Sequence, residues 1–106
     1  MNLNQLTYFV TLAQIENYTR AAKRLDITQP SLSHAISNLE KELQVQLFER
    51  HGRNVTMTRY GEMFLKYVQD SLHILNLGVE RIQEAARIPG GSISIGYIHT
   101  QGRRFI

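Results

Sequence analysis

Apolar residues in the first turns of the chain, Leu6, Phe9, Val10 and Ala13, recur at three- and four-residue steps and predict a helix over 3–16. Asn2 and Gln5 fit the N-cap and its N3 partner. "ENYT" then breaks the pattern, and Thr19 is expected to cap a short second helix from Arg20 to Leu25, whose Ala21 and Ala22 permit close helix contact. After a brief turn at Asp26 and Ile27, Thr28 caps a third helix. Pro30 is tolerated there because first-turn N–H groups lack intrahelical partners. Leu32, Ile36, Leu39 and Leu43 share one narrow face of that helix, which must be the face joined to a core. Two short helices joined by a tight turn, over about 18–37, make a helix-turn-helix.

Beyond the third helix the period changes. "LFERHGRNVTMT" sets β-branched and apolar residues around His51, Gly52, Arg53 and Asn54, a turn-forming group, and reads as a two-stranded wing. Thr58 caps a long helix expected to run to about Arg87, before Pro89, Gly90 and Gly91. Tyr60, Phe64, Tyr67, Val68, Leu72, Leu75, Val79 and Ile82 form a stripe along it that exceeds what a small domain can cover, so a second chain is the natural place to bury it. Tyr60 and Phe64 are equally suited to pack on the first helix of their own chain. "SISIGYI" alternates like a strand with no partner to follow. The expected architecture is mainly α. A winged helix-turn-helix of three helices and a two-stranded β-wing occupies 1–58, a long linker or dimerisation helix 59–88, and a hinge with the first strand of a missing domain 89–106.

Composition narrows the class. A chain of 106 residues, 42% hydrophobic and 20% charged, has room for one modest core. It contains no cysteine, which removes disulfides, thiolate metal sites and a Cys nucleophile. No run approaches the ~20 apolar residues of a membrane span, and "MNLNQLTYF" has no signal-like pattern, so a cytoplasmic location is expected. The net charge of +3 decides little by itself.

Chemistry is concentrated on the outward side of the third helix, at Pro30, Ser33, His34, Ser37 and Lys41. Short polar side chains let a helix axis approach a major groove, and hydroxyls reach base edges or phosphates. Gln29 can pair with adenine in a bidentate way, Pro30 can touch a thymine methyl, and the helix N-terminus offers free N–H groups to phosphate. A Ser-rich face taken alone is equally a solvated one. Ser31 and His34 are neighbours, yet no carboxylate orienter, nucleophile elbow or phosphate loop accompanies them, so an enzyme is not expected. His34, His51, His73 and His99 lack metal-ligand spacing.

The Ala21-Ala22 pair with Leu25, the run Thr28-Gln29-Pro30-Ser31-x-Ser33, Leu39-Glu40, Leu47-Phe48-Glu49-Arg50, and Thr58 with Gly61 together resemble the N-terminal domain of LysR-type transcriptional regulators. The resemblance is strong over residues 1 to about 61, continues by arrangement through the long helix, and ends on "SISIGY", similar to the opening strand of that family's effector-binding domain. It implies a sequence-specific regulator that binds double-stranded DNA as a homodimer, with the third helix in the major groove and the wing in the minor groove. By that resemblance Gln29, Pro30, Ser33 and His34 meet bases and phosphates, Thr19 meets a phosphate, and Arg53 enters the minor groove at the wing tip. Lys41 and Arg50 are expected backbone contacts, Arg50 being equally suited to an internal ion pair; Thr28, Ser31 and Ser37 complete the DNA-facing set. Linker helices would pair antiparallel, with a tetramer possible at full length. No cofactor is expected in this chain, since a small-molecule inducer would bind the missing domain. Two positions depart from the family's pattern: His34 stands where Arg is common, and Gln44 where Gly is preferred. A left-handed Gln44 would cost about 1 kcal/mol relative to Gly. Winged helices also serve as assembly modules, and a salt series of DNA titrations separates that reading from the regulator.

Overall fold

In a computed structural model, described here over residues 1–87, the elements run α1 (Leu3–Ile15), α2 (Tyr18–Leu25), α3 (Gln29–Leu43), β1 (Phe48–His51), β2 (Asn54–Met57) and α4 (Arg59–Ala86). The hinge and strand expected over 89–106 lie outside the described residues. Two compact units divide after Val68, and each is described by itself.

Within Met1–Val68 the helices begin where side chains satisfy their first N–H groups. Asn2 and Gln5 form a reciprocal capping box, with Asn2 Oδ1 accepting from Gln5 N at 2.8 Å and Gln5 Oε1 accepting from Asn2 N at 3.1 Å. Thr28 caps α3 by accepting from Ser31 N. The start of α2 corrects the sequence reading: its cap is Asn17, whose Oδ1 accepts from Arg20 N at 2.9 Å, and Thr19 is the second helical residue. While its Oδ1 caps the helix, the Asn17 amide nitrogen is free for one further bond, to the wing, described below.

Three helices end on non-glycine residues in the left-handed region: Glu16, Asp26 and Gln44, with φ of 61°, 59° and 60°. Gln44 therefore adopts the conformation for which Gly is favoured, and closing bonds offset its cost. Its N–H reaches the carbonyls of Glu40 and Lys41, and Val45 N–H returns to Glu40 at 3.3 Å.

The core is built from Phe9, Leu12 and Ala13 of α1, Tyr18, Ala21 and Ala22 of α2, and Leu32, Ile36 and Leu39 of α3, closed by Leu47, Phe48 and Val55. Phe9 is its hub, with ring centroids 5.5 Å from Phe48 and 5.4 Å from Phe64 in tilted geometry. Phe64 thus packs on helix α1 of its own chain, and Val68, expected in the dimer stripe, is buried at 3% exposure. The opening turns of α4 thus contribute to the domain's core, with Val68 buried there and Phe64 half-buried. Gly61 makes that approach possible: a Cβ there would stand 2.2 Å from the carbonyl oxygen of Leu47.

Strands β1 and β2 pair antiparallel from Phe48 opposite Met57 to His51 opposite Asn54. Gly52 opens the two-residue turn at φ 70°, and Arg53 follows without a positive φ, the pattern of a type II′ hairpin. The wing does not hang free. Val55 N donates to Glu16 O at 3.0 Å, Tyr18 N donates to Arg53 O at 2.9 Å, and Asn17 Nδ2 donates to Asn54 Oδ1 at 2.9 Å. The α1–α2 joint is thereby a third edge of the hairpin.

Candidate nucleic-acid interface

Helix α3 is two-sided. Leu32, Ile36 and Leu39 are fully buried, while Pro30, Ser31, His34, Asn38 and Lys41 are exposed and Gln29, Ser33 and Ser37 are half-buried. The sequence-predicted surface is therefore open along its length. Thr28 and Ser31 are partly engaged already: Thr28 Oγ1 donates to Ser31 Oγ at 2.8 Å while accepting from Ser31 N, so these hydroxyls chiefly shape the N-terminus of α3.

A polar groove of about 690 Å³ separates α3 from the wing, lined by Ser33 and Ser37 on one side and Arg50 and His51 on the other, with Tyr18 and Glu40 also in its wall. It brings together three of the predicted site residues. Arg50 does not take the ion-pair role. Its guanidinium carbon lies 4.2 Å from the centroid of the Tyr18 ring, which holds the charge over an aromatic face at the groove. Burial pushes the Tyr18 hydroxyl above its ordinary value, with Arg50 opposing and Glu40 adding to the shift, so the phenol stays a neutral donor.

Glu40 was missed as a functional support. One of its carboxylate oxygens accepts from Leu47 N at 2.8 Å and Phe48 N at 3.2 Å, fastening the root of the wing to α3. A glutamate seven residues before an apolar pair carries no periodic signal, and only the matched Leu39-Glu40 motif hinted at it. Asn38 was also missed: its side-chain nitrogen lies 3.1 Å from His34 Nε2. Thr19 is exposed in the first turn of α2, Lys41 is exposed toward the end of α3, and Arg53 projects at the exposed hairpin tip with only its carbonyl engaged by Tyr18. Arg20, Lys23 and Arg24 add exposed positive charge along α2.

Helix-turn-helix and wing together define a winged-helix domain, followed by a long helix, with exposed polar and basic residues on α2, α3 and the wing. The chain belongs to the lysR family of bacterial regulatory helix-turn-helix proteins, whose family model matches residues 3–62. It is 42% identical over all 106 residues to the uncharacterized HTH-type transcriptional regulator YybE of Bacillus subtilis (strain 168), and 37% identical over the same length to AlsR of that organism, also an HTH-type transcriptional regulator. The chain spans about a third of the length of these curated relatives, 36% and 35% respectively. Among solved structures it resembles the BenM DBD in its benA site 1 DNA complex, with TM-score 0.77 and 40% identity over 81% of this chain and 97% of that one. The CbnR DBD in its DNA complex matches with TM-score 0.77 and 36% identity, over 82% of this chain and all of that one.

Proposed function

We propose that this chain is the DNA-binding and dimerisation part of a LysR-type transcription regulator, reading a pseudo-palindromic duplex site as a homodimer. The observation that carries the reading is the two-sided α3, whose Leu32, Ile36 and Leu39 anchor it while Gln29, Pro30, Ser33 and His34 remain open to a groove. Helix α3 enters the major groove, Thr19, Lys41 and Arg50 meet the backbone, and Arg53 enters the minor groove, where narrow A·T-rich geometry favours Arg. DNA complexes of related domains with the same fold support this docking. The relatives are transcriptional regulators, and the chain is read as a binding module with no catalytic role.

Dimerisation is carried by α4. Tyr67, Ile74 and Ile82 are 67%, 66% and 71% exposed, a degree of apolar exposure that a second helix would remove. Beside the start of α4, an apolar groove of about 290 Å³ lined by Leu43, Val45, Tyr60, Met63 and Tyr67 continues the stripe. A paired arrangement sets two copies of α3 on successive major grooves, ~34 Å apart or a multiple of it. At full length a small-molecule inducer would act through the domain beyond this chain, and a tetramer would form from such dimers. None of the described helices is long and apolar enough to cross a membrane, and a cytoplasmic regulator is the reading adopted.

Fluorescence titration of labelled duplex at several salt concentrations tests the proposal. A steep fall of log affinity with log salt is expected from phosphate neutralisation; a flat or absent dependence would support the assembly-module reading.

A further inference from the structure

His34 and Asn38 stand one helical turn apart on the open face of α3, both exposed, with Asn38 Nδ2 at 3.1 Å from His34 Nε2. An amide nitrogen only donates. Nε2 is therefore the acceptor of this bond, and the ring proton belongs on Nδ1. Nδ1 faces no hydrogen-bond partner among the described residues. Asn38 thus occupies the acceptor nitrogen of the imidazole and leaves the donor free.

That choice sets the sign of what His34 can read. A donor-only side chain pairs with N7 or O6 of guanine, N7 of adenine or O4 of thymine, and meets only a second donor at N4 of cytosine. Without Asn38 the ring would present either nitrogen and accept either edge. Such an i,i+4 pair is weak while it faces water. Once a duplex excludes the water, both the pair and the penalty for a mismatched edge strengthen.

We propose that Asn38 is a positioning residue that occupies His34 Nε2 and leaves Nδ1–H as the donor that reads the duplex, selecting an acceptor-bearing base and disfavouring cytosine at one position of each half-site. The proposal rests on the DNA-binding reading above and names a specificity determinant within it.

Two measurements test it. Long-range proton–nitrogen correlation of the histidine rings, on the ¹⁵N-labelled chain bound to its selected duplex, is expected to show His34 protonated at Nδ1, and Asn38→Ala shifts it toward Nε2. Selection of duplexes from a random pool is expected to exclude cytosine at one position, and Asn38→Ala relaxes that exclusion by about 3- to 10-fold, the span of a single hydrogen bond. In a His34→Ala background, Asn38→Ala adds no further change at that position, an outcome a merely structural asparagine would not give. Observing the Nε2-protonated ring in the wild-type complex overturns the proposal, as does an Asn38→Ala chain that keeps the wild-type base preference. A wild-type chain that selects no duplex at all fails at the earlier step, sinking the DNA-binding reading and this proposal with it.

Discussion

Replacing Gly61 with Ala tests how α4 is seated. An added Cβ would lie 2.2 Å from the carbonyl oxygen of Leu47, 3.1 Å from its carbonyl carbon and 3.3 Å from Met57 Cβ. The nearest obstacle is backbone, so no side chain can swing aside, and relief requires α4 to retreat by about 1 Å, against carbon–oxygen contact distances that begin near ~3.3 Å. The same carbonyl accepts from Thr58 N at 3.0 Å, and Thr58 Oγ1 donates to Gln46 O at 2.6 Å, so the retreat stretches the two bonds that moor the helix. Overpacking costs about 1–3 kcal/mol and a weakened hydrogen bond about 1 kcal/mol, while Ala returns roughly 1 kcal/mol of helix propensity. The net expectation is a loss of about 1–3 kcal/mol. Urea unfolding followed by circular dichroism, at one protein concentration so that self-association is held constant, should show a midpoint lower by roughly 1 M, given slopes of about 1–3 kcal/mol/M. A Gly61→Ala chain as resistant to urea as the parent would show that Leu47 and α4 are not in the close contact described.

Asn17→Ala should lose about 1–2 kcal/mol, since it removes the α2 cap and the bond to Asn54, whereas Thr19→Ala should stay within about 0.5 kcal/mol and weaken only DNA binding; thermal melts of the two variants decide between the caps. Ile74→Asp places a charge on a 66% exposed position, so the protomer should fold normally but sediment as a monomer and bind a two-half-site duplex far more weakly; an unchanged sedimentation profile would remove α4 from the interface. Arg53→Ala should weaken binding chiefly where the wing meets A·T-rich sequence, read by titration of duplexes differing only there, and equal loss on all of them would make Arg53 a phosphate contact.

Much of the architecture was legible because local signals agreed. Thr28, Pro30 and the 32/36/39 stripe fix α3, and Gly52 marks the hairpin turn. The cap of α2 was misread because Asn17 and Thr19 are both good cap residues two positions apart, and only the wing's proximity selects the first. Phe64 and Val68 have the same helical spacing as residues that face outward, so periodicity alone could not divide α4 between core and partner. Glu16 takes a left-handed conformation that no local preference announces, whereas Asp26 is of a type that tolerates it. Contacts that depend on two distant segments meeting, such as Glu40 with the amides of Leu47 and Phe48, leave no trace in spacing. The open face of α3 was readable from residue type, while the pairing of His34 with Asn38 needed atomic positions.

The hairpin's attachment to the α1–α2 joint has a mechanical consequence. Three hydrogen bonds tie residues 53–55 to residues 16–18, and Asn17 in turn caps the helix that carries Thr19. On the proposed docking, these bonds hold Thr19 and the hairpin tip at a common spacing against the duplex. If that spacing is kept on binding, sequences whose grooves bend to it easily would be favoured even at base pairs no side chain touches.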